Sequence, residues 1–115
     1  MHGARPRLEP PMAQFDVYPN PIEALRPSHP YVVQVQSGFL ARPVAVITVP
    51  LARLTPGSEP VAVLTPRLEV ADEALVLETL GIASFDPGEL RGPVGNLRAQ
   101  ADAIWSALDY ALHGY

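Results

Sequence analysis

At 115 residues and without cysteine, the chain is long enough for one domain to bury its own core, and disulfides, thiolate zinc sites and cysteine nucleophiles are excluded. A net charge of −4 with no Lys/Arg run argues against nucleic acid as a direct ligand, and the lack of any long apolar stretch or apolar signal core predicts a soluble, cytoplasmic protein that does not enter a membrane. Charged residues are 17% of the chain against about 25% in ordinary domains, so a partner, most simply a second copy, is expected to cover part of the surface.

Met1 to Pro11, MHGARPRLEPP, has three prolines and no hydrophobic period, and residues 1–13 are expected to form a disordered leader, with Met12 a candidate natural start. Residues 14–115 then make one domain. Phe15, Val17 and Tyr18 predict a short first strand ended by Pro19-Asn20-Pro21, followed by a proline-punctuated loop, Ile22 to Pro30, that contains His29. Tyr31 to Gln36 alternates, with Tyr31, Val33 and Val35 pointing one way and Val32, Gln34 and Gln36 the other, and predicts a half-buried strand. Ser37 and Gly38 turn into Phe39-Leu40-Ala41, an apolar piece in a loop position.

Val44 to Val49 is a β-branched run suited to a strand covered on both faces and ended by Pro50. After the turn cluster Thr55-Pro56-Gly57-Ser58, three further short strands are predicted at Val61 to Leu64, Leu68 to Val70 and Leu75 to Thr79, with Asp72-Glu73 in a hairpin turn. Asp86-Pro87-Gly88-Glu89 has the residues of a capping box, and Gly92-Pro93 ends whatever turn it starts. Short strands with punctuation every 8 to 12 residues or so predict a small antiparallel barrel or sandwich.

The last stretch predicts one long helix over about 93–113, with Pro93 at its first position and Gly114 as a left-handed cap. On a wheel of about 100° per residue, Val94, Leu97, Ala101, Ile104, Leu108, Ala111 and Leu112 share one arc and Trp105 lies at its edge. Asn96, Arg98, Asp102, Ser106, Asp109 and His113 lie opposite. Asp109 is four residues before His113, and a cationic histidine in a last turn is favoured by the helix dipole.

No catalytic set can be assembled from spacing. His2, His29 and His113 have no helical pairing with a second histidine, and neither HExxH nor a glycine-rich phosphate loop nor GxSxG occurs. No metal or cofactor is implied, and the chain reads as a binding protein rather than an enzyme.

Several pieces, in order, resemble the CcdB family, toxins of type II toxin–antitoxin pairs that inhibit DNA gyrase. They are Gln14-Phe15-Asp16-Val17-Tyr18, Val35-Gln36-Ser37, Val49-Pro50-Leu51-Ala52, Leu77-Glu78-Thr79, Val94-Gly95-Asn96-Leu97, Ala107-Leu108-Asp109-Tyr110 and His113-Gly114-Tyr115. The resemblance implies an SH3-like antiparallel barrel with a small extra sheet and a long C-terminal helix, a homodimer, and a role in plasmid maintenance. Two partners are implied: the DNA gyrase A subunit, poisoned on cleaved DNA, and a CcdA-like antitoxin.

By position, the resemblance puts His113, Gly114, Tyr115 and Asp109, with Phe39 and Leu40, at the gyrase contact, and Arg42 at the antitoxin. Phe15, Tyr18, Trp105, Leu108, Ala111 and Leu112 are assigned to the dimer or the core. The family's best-known pattern has tryptophan where this chain has His113 and an aliphatic residue where it has Tyr115. Two other readings stand beside the gyrase toxin: a degenerate dimer that binds antitoxin without poisoning gyrase, and a MazF-like RNA-cleaving toxin, which requires a basic groove.

Overall fold

Residues 12–38, 44–57 and 59–114 are described by the computed structural model. They form strands β1 (Asp16–Pro19), β2 (Tyr31–Gln34), β3 (Val46–Arg53), β4 (Arg67–Val70), β5 (Glu73–Leu77), β6 (Ala83–Phe85) and β7 (Gly95–Asn96), and one α-helix, α1 (Ala101–His113). All pairs are antiparallel. The sheet runs β4-β5-β3-β2-β1-β7, with β6 also on β3, and curls into a half-barrel. The mainly β class with a C-terminal helix is the one expected.

Strand alternation sends successive side chains to opposite faces. Val17, Val33, Val49 and Leu51 point to the face that α1 covers with Ile104, Ala107 and Leu108, while Tyr18, Val32 and Val46 point to the other face, where Leu90, Met12 and Phe85 pack. β2 is therefore buried on both faces, Gln34 included, rather than half-buried. Its ladder ends in a bulge, because Ile47 O accepts from both Val35 N–H (3.0 Å) and Gln36 N–H (3.3 Å).

Pro50 does not end the third strand, which runs on to Arg53. β3 pairs with β6 over Val46–Thr48 and with β5 over Leu51–Arg53. Pro50 falls between these two stretches, and its carbonyl accepts from Glu78 N–H at 2.9 Å. In an antiparallel ladder a residue's N–H and C=O face the same neighbour, so the donor that proline lacks would point to where β3 changes partners. A proline is tolerated in a central strand only at such a place.

The helix is shorter than the expected 93–113. Val94 N–H donates to Val17 O (2.8 Å) and Leu97 N–H to Phe15 O (2.9 Å), so this segment pairs with β1 instead of coiling. Asn96 fixes the register: its Nδ2 donates to Gln14 O at 3.1 Å and Asp16 Oδ1 at 2.9 Å, and its Oδ1 accepts from Arg98 N–H at 2.8 Å. A 3-10 turn, Arg98–Gln100, then leads into α1. Gln100 completes the closure, its Oε1 accepting from Glu69 N–H and its Nε2 donating to Glu69 O, both at 3.0 Å. A side-chain amide thus stands where a neighbouring strand would pair with β4.

The strand expected at Val61 to Leu64 is a turn, with Thr65 Oγ1 accepting Val61 N–H at 2.7 Å. Its valines are exposed and have no strand to lie against. β6 and β7 went unread in the sequence, and Ile22 to Pro30 contains a 3-10 turn, Glu23–Leu25. The capping box of Asp86 and Glu89 forms around Pro87–Glu89 as expected, whereas the β4–β5 hairpin turns through Ala71 and Asp72 at φ +50° and +67°, one residue before the expected Asp72-Glu73, and Glu73 is already paired with Val70 in β5. Among the described residues no helix is long and apolar enough to cross a membrane.

Candidate functional site: the end of α1 and its exposed stripe

α1 ends at Gly114, whose φ of +81° is the left-handed conformation that glycine adopts without a Cβ clash. Its N–H donates to Tyr110 O at 2.8 Å. This last turn carries Asp109 and His113, both exposed, and His113 is the basic residue at the helix's negative end.

The buried arc of α1 is rotated from the expected one. It is made by Ile104, Ala107 and Leu108, with Ala111 partly buried, and Leu112 is 68% exposed, which corrects its place on the apolar arc. The helix presents Ala107 to the sheet because small residues permit close approach, and this turns Leu112 outward. Leu112 lies two turns after Trp105, on the same line of the helix. Trp105 leans its edge on Phe15, with centroids 5.6 Å apart at 78°, and keeps 42% exposure. Trp105 and Leu112 therefore form an apolar stripe bordered by Asp109 and His113.

Phe15 and Leu108 are core residues on the helix side. Phe15 holds φ +74°, unusual for a side chain this large. The strain is carried by a turn in which Asp16 N–H donates to Ala13 O at 3.0 Å, and the Arg98 guanidinium lies 5.5 Å from the Phe15 ring centre. Tyr18 is a core residue of the opposite face. Burial, with Asp16 nearby, pushes its phenol up to about 12. Phe39, Leu40, Arg42 and Tyr115 lie outside the described residues.

A second constellation escaped the sequence reading. His29 Nε2 is 2.8 Å from Glu78 Oε1 and His29 Nδ1 is 2.7 Å from Ser28 Oγ, beside a cleft of about 200 Å³ on the sheet face away from α1, lined by Ile22, Leu25, Val32, Pro50 and Phe85 among others. The order hydroxyl, imidazole, carboxylate resembles a hydrolytic triad. However, Ser28 N–H and His29 N–H both donate to Leu25 O, and Gly81 N–H donates to Glu78 O. These three main-chain donors are thus committed elsewhere and cannot hold an oxyanion. The chain of bonds ties the Ile22 to Pro30 loop to the Thr79–Gly81 turn. Only proximity could have signalled it, since His29 and Glu78 are 49 residues apart. Among the described residues no cluster of three or more His, Asp or Glu could hold a metal.

A curled antiparallel half-barrel with one C-terminal helix is the architecture that the family resemblance implies. The chain belongs to the CcdB family, toxins of toxin–antitoxin pairs: the family model described as CcdB protein matches residues 14–114. A search of curated proteins gave no match.

Proposed function

We propose that residues 14–115 act as one toxin unit of a type II pair, which dimerises, binds the A subunit of DNA gyrase through the end of α1, and traps gyrase on cleaved DNA until a CcdA-like antitoxin removes it. Family membership supports the toxin reading. The observation that carries the contact is the exposed end of α1, where an apolar stripe at Trp105 and Leu112 is bordered by Asp109 and His113. An apolar centre with a polar rim is the usual make-up of a specific interface. In a two-fold dimer this end is presented twice, which suits a two-fold enzyme. His113 stacks on a partner's cation more weakly than tryptophan would.

Purified protein is incubated with gyrase and supercoiled DNA, then treated with detergent and protease. Linear DNA is the expected product. Leu112→Asp, at an exposed position, lowers its yield at least about tenfold, equivalent to about 1.4 kcal/mol of binding, and His113→Trp raises it. Linear DNA unchanged by Leu112→Asp would remove the end of α1 from the contact. No linear DNA from any variant, with antitoxin still bound, identifies the degenerate dimer, and RNA cleavage identifies the MazF-like reading.

A further inference from the structure

The bonds that join Ser28, His29 and Glu78 are left unused by the gyrase reading, and they can be made in two ways. His29 Nε2 lies 2.8 Å from Glu78 Oε1, and Nδ1 lies 2.7 Å from Ser28 Oγ. The same Ser28 Oγ lies 3.2 Å from Leu25 O. A serine hydroxyl has one proton to donate, a carbonyl or an ionised carboxylate has none, and an imidazole has one when neutral and two when charged.

Those rules fix where each proton sits. An ionised Glu78 only accepts, so the Nε2 that faces it carries a proton in either state of the ring. In the neutral ring Nδ1 then has only its lone pair, and the Ser28 hydroxyl points to it. Leu25 O is left with Ser28 N–H at 3.1 Å and His29 N–H at 2.6 Å. In the charged ring Nδ1 donates to Ser28 Oγ, and the hydroxyl proton turns to Leu25 O. Both arrangements satisfy every group without moving the ring.

The surrounding main chain holds the loop in place whichever arrangement is present. Asn20 donates from Nδ2 to His29 O (3.0 Å) and from its N–H to Pro30 O (2.9 Å), while Arg53 donates from its N–H to Ser28 O (2.9 Å) and from Nε to Pro27 O (3.1 Å). The charged groups around the imidazole are Glu78, from the segment after β5; Arg53 of β3, which pairs with Glu73 of β5; and, on the loop itself, Arg26, whose Nε donates to Asn20 O at 2.6 Å, and Glu23 of the 3-10 turn.

We infer that Ser28, His29 and Glu78 form a proton-operated hydroxyl switch: a proton gained at His29 turns the Ser28 hydroxyl from Nδ1 to Leu25 O and adds a bond to the last carbonyl of the 3-10 turn Glu23–Leu25. The proton passes from solvent to Nδ1, Ser28 keeps its own, and only the direction of one O–H bond changes. Leu25 and the preceding Ile22 line the cleft, so the charge on one imidazole is carried to that wall.

The test follows the full chain, labelled with nitrogen-15 and carbon-13, by NMR between about pH 5 and 8, where histidine changes charge. The two ring-nitrogen shifts of neutral His29 are expected to show the proton on Nε2. As pH falls, the Leu25 carbonyl carbon is expected to move downfield along the titration curve of His29. In Ser28→Ala, at an exposed position, His29 still titrates while the Leu25 response falls to less than half, and Ser28→Thr restores it. In Glu78→Gln the side-chain amide donates as well as accepts, so the neutral ring is expected to become a mixture of tautomers; this measurement stands alone if Ser28→Ala does not fold. A purely structural tie would change stability in these variants and neither the tautomer nor the Leu25 curve. A neutral ring protonated at Nδ1 in the unsubstituted chain, a flat Leu25 curve while His29 titrates, a full Leu25 response in Ser28→Ala, or a His29 that does not titrate before the chain unfolds would each overturn the inference.

Discussion

The two faces of the sheet are filled by different means. On one, a single helix lays Ile104, Ala107 and Leu108 across apolar side chains from β1 to β5, and the buried Thr79, whose Oγ1 donates to Leu64 O at 2.6 Å, lies in the turn beside the helix. On the other, cover comes from loops and short strands: Leu90, Phe85 and Met12 pack over Tyr18, Val32 and Val46. Gln34, Thr48 and Asn20 are buried polar residues, and Gln34 Oε1 has no hydrogen-bond partner among the described residues. A helix delivers its apolar residues at a fixed period and seals a face. Loops bring main-chain groups that need polar partners, and they leave a cleft. The first arrangement serves cohesion and the second leaves room for recognition.

The largest effect that can break this comparison comes from the same truncation made on both faces. Leu51→Ala removes a side chain with 0% exposure under α1 and is expected to cost about 3 to 5 kcal/mol, since a rigid, helix-sealed site relaxes little around a cavity. Leu90→Ala, under loops on the other face, is expected at about 2 kcal/mol, near the bottom of the same range. Urea denaturation followed by Trp105 fluorescence measures both. Equal losses would mean that the faces do not differ in rigidity.

Tyr18 tests the loop-covered face by pH. Its folded-state value of about 12 lies above the unfolded value near 10. The unfolded chain therefore releases this proton first as pH rises. The native state has its full advantage below pH 10 and loses about 1.4 kcal/mol per pH unit from there to 12. Tyr18→Phe is expected to flatten that part of the stability profile, because its hydroxyl contact with Asp16, at 3.5 Å, is long and adds little at neutral pH. An unchanged slope in the variant would assign the alkaline loss to other groups.

The smallest effect concerns the seam between the faces. Gln100→Ala removes two hydrogen bonds to Glu69 and is expected to cost about 1 to 2 kcal/mol. Amide exchange at Glu69 is expected to quicken more than in β3. Uniform acceleration over the sheet would show global loosening instead.

What was legible in the sequence divides by the range of the interactions. Asp86-Pro87-Gly88-Glu89 and Gly114 were readable because each satisfies hydrogen bonds within four residues of itself. Tyr31 to Gln36 was readable as a strand, yet its burial on both faces depended on segments far away. Val94 and Leu97 sit at helical spacing, but β1, some eighty residues earlier, claims their N–H groups, and pairing outweighed the periodic pattern. Pro50 looked like a terminator because its tolerance depends on β3 changing partners at that residue. At the helix end, Asp109, His113 and Gly114 were readable from position, whereas Leu112 was misplaced because Ala107, small and unremarkable in the pattern, set the rotation of α1. The cleft was invisible, since Asn20, His29, Glu78 and Phe85 come from four separate segments.

The amide of Gln100 has a consequence for solubility. An uncovered strand margin is a template on which a second chain can add itself, and proteins usually protect it with charge, proline or another element. Here the outward N–H and C=O of Glu69 are both occupied by one side chain, so at this margin the protection rests on one rotamer. A single rotation about that glutamine, without any unfolding of the sheet, would bare this pair of main-chain groups to a neighbouring chain.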